Sequence, residues 1–224
     1  MKPELLDALE LETAPNPTHA VIWLHGLGAD GNDFAPIVPE LRLGNAPAVR
    51  FVFPHAPVQP VTINGGMAMR AWYDIRNADL AQREDAQGIL QSQEAVRALI
   101  QRENQRGIAT GNIVLAGFSQ GCAMTLQTGL RLPERLAGLV ALSGYLPLAE
   151  SLQAEFSPAN KETPIFMAHG TQDPVVPLQR AQKSCQLLQE MGYSVDWKTY
   201  PMPHSVCLEE VNDIAAFLKQ VLRG

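Results

Sequence analysis

The sequence predicts an α/β fold with a mostly parallel central sheet and helices on both faces. Short apolar runs alternate with amphipathic stretches along the chain, which is the pattern of βαβ units. Several of these runs are continuously apolar rather than alternating, as expected of strands covered on both faces. The 224 residues suffice for one large domain with a full core and are too few for two generous ones. A single domain over 1–224 is therefore expected.

In chain order, strands are expected at 8–12, 20–25, 50–53, 112–118, 138–143, 165–169 and 194–200. Between them, Ile89, Val96, Leu99 and Ile100 recur at helical spacing within 86–105. A helix over 119–132 is stopped by Pro133, and one over 179–191 carries Ala181, Cys185 and Leu188 on one face and is closed by Gly192. Leu208, Val211, Ala215, Leu218 and Val221 give a terminal helix. From Pro54 to Asp85 no regular element is evident. Val61, Ile63, Met67, Met69, Trp72 and Tyr73 make this stretch too apolar for a solvated tail, so it reads as a folded excursion over the mouth of a site.

Composition excludes several classes. The net charge of −6, with no basic run, argues against nucleic acid as a partner. No apolar stretch approaches the ~20 residues of a membrane span. The acidic, proline-broken start lacks the regions of a signal peptide. The three cysteines, Cys122, Cys185 and Cys207, cannot all pair and show no C-x-x-C spacing; free thiols in a reducing cytoplasm are expected.

The chemistry is carried by Gly117-Phe118-Ser119-Gln120-Gly121. It follows the apolar run Ile113-Val114-Leu115-Ala116 and precedes the helical run Cys122-Ala123-Met124-Thr125-Leu126-Gln127. In that context G-x-S-x-G becomes a nucleophile elbow, with the serine in a strained turn and its hydroxyl aimed away from the sheet. A Cβ at either glycine should clash with the neighbouring strand or helix.

A serine hydroxyl needs a base, and the base an orienting carboxylate, here sought after the serine in the order acid, then histidine. Of five histidines only His169 and His204 follow Ser119. His204 lies between the last strand and the terminal helix, where a loop can bring an imidazole over the serine. His169 ends an apolar run and reads as a buried, hydrogen-bonded group. Asp173, in a turn stiffened by Pro174, is favoured as the acid over Asp196 inside a strand and over Glu209 and Glu210 at a helix start.

An oxyanion hole needs two backbone N–H groups aimed at the developing charge. One is expected from Gln120. The other should come from the loop His25-Gly26-Leu27-Gly28-Ala29-Asp30-Gly31, whose glycines permit close backbone approach. A phosphate-binding reading of this loop fails for want of a Walker or dinucleotide motif. His25 has no partner at metal-ligand spacing and reads as positional. Trp72, Met69, Ile63 and Val176 are candidate contacts of an apolar acyl groove.

Taken together, His25-Gly26-Leu27-Gly28, the block Gly117–Met124, Trp72-Tyr73-Asp74, the block His169–Pro177 and His204 resemble the carboxylesterase II / acyl-protein thioesterase family over nearly the whole chain. The resemblance implies an α/β-hydrolase fold without a large cap. It implies a triad of Ser119, Asp173 and His204, an oxyanion hole from the N–H groups of Leu27 and Gln120, and no metal or organic cofactor. It also implies substrates among acyl esters, lysophospholipids and acyl thioesters. A monomer or homodimer is expected as the working unit. Alternatives are a peptidase, which usually carries a further domain, a dienelactone-type hydrolase, which would be expected to place cysteine at position 119, and a non-catalytic binding protein, which would be expected to lack a triad residue.

Overall fold

The computed structural model describes residues 5–77 and 84–223. Its centre is a sheet of seven strands: β1 (Ala8–Glu12), β2 (His19–Leu24), β3 (Val49–Pro54), β6 (Ile113–Phe118), β7 (Gly138–Leu142), β8 (Ile165–Gly170) and β9 (Val195–Tyr200). Their order is β1-β3-β2-β6-β7-β8-β9, all parallel except β1, which runs antiparallel along β3. All seven expected strands are present, most shifted at an end by one residue.

The continuously apolar runs are buried on both faces. In β2, Ala20, Ile22 and Leu24 join one apolar cluster while Val21 and Trp23 join the other. In β6, Ile113 and Leu115 lie on the first side and Val114 and Ala116 on the second. The first cluster is covered by α2 (Ala86–Gln105), α3 (Gln120–Gly129) and α5 (Leu178–Glu190), and the second by α1 (Ile37–Glu40) and α6 (Leu208–Val221). The expected apolar stripes of α2 and α5 are buried. In α6 the exception is Leu208, which is exposed in the first turn, with Ile214 and Phe217 packing in its stead.

Two features depart from expectation. Residues 54–85 do contain regular structure: an antiparallel hairpin of β4 (Val58–Val61) and β5 (Met67–Arg70), with a single 3-10 turn at Thr62–Asn64 between them. Short helices also form at α1 and at α4 (Ala149–Glu155), too brief to leave a periodic signal. No helix of the described residues is long and apolar enough to cross a membrane.

Candidate active site

In a parallel sheet, loops that follow strands emerge at one edge, and this sheet puts the sequence-predicted residues there. Ser119 follows β6, Asp173 follows β8 and His204 follows β9. Ser119 has φ 56° and ψ −116°, a left-handed conformation few side chains adopt. Its N–H donates to the Leu142 carbonyl at 2.8 Å, and its own carbonyl starts α3. The flanking glycines make the turn sterically feasible. A Cβ on Gly117 would lie 2.3 Å from the Gly121 oxygen, and one on Gly121 would lie 2.1 Å from the Leu24 oxygen. Cys122 packs beneath the turn, fully buried, and burial pushes its thiol far up.

The acid and the imidazole meet. His204 Nδ1 lies 2.6 Å from Asp173 Oδ2. Because a carboxylate oxygen accepts, Nδ1 carries the proton and Nε2 is left as the basic nitrogen. The His204 ring rests on Phe118, centroids 4.7 Å apart, which brings it beside the residue that precedes Ser119. Asp173 is held from below: its Oδ1 accepts the N–H groups of Val175 at 2.7 Å and Val176 at 2.9 Å. Its carboxylate is fully buried, while the His204 side chain keeps slight exposure.

His169, the other histidine considered, is also at the site but turned to a different task. Its Nε2 donates to the Val176 carbonyl at 2.9 Å and lies 3.4 Å from Asp173 Oδ2. Burial lowers its pKa and so favours the neutral ring. It braces the turn that carries Asp173.

Gln120 opens α3, so its N–H has no acceptor within the helix and sits at the positive end of the dipole. Across from it, Gly26 faces Ser119: a Cβ there would be 3.4 Å from the serine Cβ. Gly28, at φ 76°, donates its N–H to the Arg70 carbonyl at 2.8 Å, which ties this loop to the hairpin. His25 is buried, donates Nδ1–H to the Gly26 carbonyl at 2.7 Å and accepts the Ala56 N–H on Nε2 at 3.0 Å. Its role is positional, as its sequence context suggests.

The four groove candidates separate. Met69 and Ile63 lie on the hairpin, with Met69 Sδ 3.8 Å from where a Gly28 Cβ would stand, and Ile63 exposed. Trp72 and Val176 are buried in the interior, at 1% and 3% exposure. Sequence reasoning passed over Val58 on the hairpin and Val175 beside Asp173, both exposed, and the paired hydrogen bonds of the Gln120 side chain.

Comparison with known proteins decides the family. The family model described as Phospholipase/Carboxylesterase matches residues 10–222. The chain belongs to the phospholipase/carboxylesterase family. It is 47% identical over 215 residues to an acyl-protein thioesterase 1 of Neurospora crassa, covering 92% of this chain and 87% of that one. It is 41% identical to an acyl-protein thioesterase 1 of Gibberella zeae, covering 96% and 95%. Among solved structures, Arabidopsis thaliana SOBER1 superposes with TM-score 0.85 at 33% identity, covering 92% of this chain and 99% of that one. Zea mays acyl-protein thioesterase 2 gives TM-score 0.79 at 28% identity, covering 97% and 100%. As a member of this family the chain is an ester hydrolase of α/β-hydrolase fold.

Proposed function

We propose that this single-domain protein is a cytoplasmic serine hydrolase that cleaves acyl esters and acyl thioesters through a covalent acyl-enzyme, with Ser119, His204 and Asp173 as its triad. The observation that carries the reading is the 2.6 Å contact between His204 Nδ1 and Asp173 Oδ2, with the imidazole resting on Phe118 next to a strained Ser119. That contact leaves His204 Nε2 as the base.

In the first step Nε2 takes the Ser119 proton as Oγ attacks the acyl carbonyl. The carbonyl π electrons move to oxygen, where the N–H groups of Leu27 and Gln120 stabilise the anion. The tetrahedral intermediate then expels the alkoxide or thiolate, which receives the proton from His204 and departs. In the second step His204 removes a proton from water, which attacks the acyl-serine carbonyl. Collapse returns the proton to Ser119 Oγ and frees the carboxylic acid. Asp173, held by two backbone N–H groups, fixes the imidazole tautomer and stabilises the imidazolium in both steps.

The substrate reading is a medium or long acyl chain. Val58, Ile63 and Met67 are exposed on the hairpin beside the loop that carries Leu27, an apolar surface suited to a lipid tail. The relatives named as acyl-protein thioesterases favour the thioester over the oxygen ester. The test is kcat/KM for p-nitrophenyl esters from acetyl to palmitoyl, beside a palmitoyl thioester and a lysophospholipid. Preference for long chains with thioester turnover is expected. A peak at acetyl or butyryl with no thioester cleavage would overturn the substrate reading, and full activity in Ser119→Ala would overturn the mechanism.

A further inference from the structure

Trp72 is buried beside His25 and Gln120, and each of its polar groups already has a partner within the protein. Its indole Nε1–H donates to the His25 carbonyl at 2.9 Å and its main-chain N–H donates to Gln120 Oε1 at 2.8 Å. The Ser92 hydroxyl donates to its carbonyl. One residue further on, the Tyr73 carbonyl accepts Gln120 Nε2 at 2.7 Å. The side chain is almost wholly buried, and the His25 ring lies 5.4 Å from the indole.

The two groups Trp72 grips belong to the two sides of the oxyanion pair. The Gln120 N–H is one donor. The His25 carbonyl stands one peptide before the Gly26–Leu27 amide, whose N–H is the other. That amide is itself aimed: His25 Nδ1–H holds the Gly26 carbonyl at 2.7 Å, and in a trans peptide the N–H points opposite to the carbonyl. The two sides already touch, since a Cβ on Gly121 would sit 2.7 Å from the His25 oxygen. Contact alone sets a minimum distance.

We propose that Trp72 is a positioning residue: its indole N–H and main-chain N–H fasten the His25 carbonyl and the Gln120 side chain to one buried residue, and so fix the spacing of the Leu27 and Gln120 oxyanion donors. The inference rests on the triad and oxyanion reading above. Such donors act only when preorganised, and a small misplacement weakens transition-state binding more than substrate binding. The effect therefore falls on kcat.

The test uses Trp72→Phe and, as a gentler change, incorporation of 3-benzothienylalanine at position 72, which keeps the bicycle and lacks only the N–H. Readouts are kcat and KM on a short p-nitrophenyl ester, the affinity of an alkyl boronic acid, whose tetrahedral serine adduct places an anionic oxygen in the hole, and that of a non-reacting alkyl ether of the same length. Expected are a fall in kcat of about tenfold or more, below the cost of deleting an oxyanion donor, KM nearly unchanged, a matching loss of boronic acid affinity and an unchanged ether affinity. Gln120→Met should behave alike, and the double variant should lose less than the product of the single losses, because both break one unit. Unchanged kcat and boronic acid affinity in the benzothienyl variant would overturn the proposal, as would a loss confined to KM. Failure of the underlying reading is separately visible: Ser119→Ala would then remain active and no fluorophosphonate adduct would form at Ser119.

Discussion

Ser119 sits at a strained φ of 56°, and its neighbours decide whether the turn can exist. Replacing it by glycine removes the Cβ that makes this conformation costly. Ser119→Gly is expected to be inactive yet more stable than Ser119→Ala by about 1 kcal/mol. Chemical denaturation of the two proteins checks this, and equal midpoints would mean the turn stores no strain. The histidines give a second contrast. His204→Ala should lose activity by about three orders of magnitude or more, because the triad acts as a unit. His169→Ala should keep measurable turnover and lose mainly stability, since it deletes the bond to the Val176 carbonyl behind Asp173. Comparing kcat with the thermal midpoint separates the two roles. At this scale the chain order of serine, acid and histidine singled out Ser119, Asp173 and His204 as candidates, and the structure brings His204 and Asp173 into contact. Trp72 was legible only as an aromatic residue near the site. That its indole faces His25 rather than a ligand depends on packing between segments 47 residues apart, which no local pattern encodes.

The hairpin of β4 and β5 is the element that local patterns conceal. Its strands alternate poorly because neither face is fully covered, and Pro60 speaks against a strand. The usable signal was Asn64-Gly65-Gly66, whose glycines take φ 68° and 78° at the turn. Strands β2, β6, β7 and β8 were legible because burial on both faces writes an uninterrupted apolar run. The antiparallel direction of β1 was not, since direction depends on pairing with β3. The hairpin is anchored from outside by Asp74, which accepts the Thr62 N–H at 2.7 Å and the Thr62 hydroxyl at 2.6 Å, while the Ile63 N–H donates to the Ile75 carbonyl. Asp74→Ala removes the first two bonds. If the hairpin's apolar face holds the acyl chain, KM for a palmitoyl substrate should rise about fivefold, the equivalent of about 1 kcal/mol, with kcat on an acetyl ester unchanged. An equal change on both substrates would show that the hairpin does not read chain length.

For the molecule as a whole, buried titratable groups set how stability varies with pH. His19, His25 and His169 all have their pKa lowered by burial below the ordinary 6.5. Below that pH the unfolded chain binds protons that these groups refuse in the folded state, so their contribution to stability is lost as pH falls from 6.5. Glu210 acts in the opposite sense. It is fully buried in the first turn of α6, three residues beyond the end of the loop segment Pro203–Cys207 that holds His204. Burial raises its pKa from 4.5 to about 8, with the Cys207 backbone amide pulling more weakly the other way. Between those values the unfolded chain has released a proton that the folded chain retains, so stability falls as pH rises from 4.5 to about 8 and levels off above. Glu210→Gln keeps the shape and cannot ionise. Its thermal midpoint should match the wild type near pH 4.5 and exceed it increasingly up to about pH 8, by roughly 2–4 °C for each kcal/mol regained in a chain of this size. Calorimetry of both proteins across that range reads the difference directly. A gap of constant size at every pH would mean that Glu210 matters through packing alone, and a lower midpoint at alkaline pH would mean that its charge is accommodated when folded.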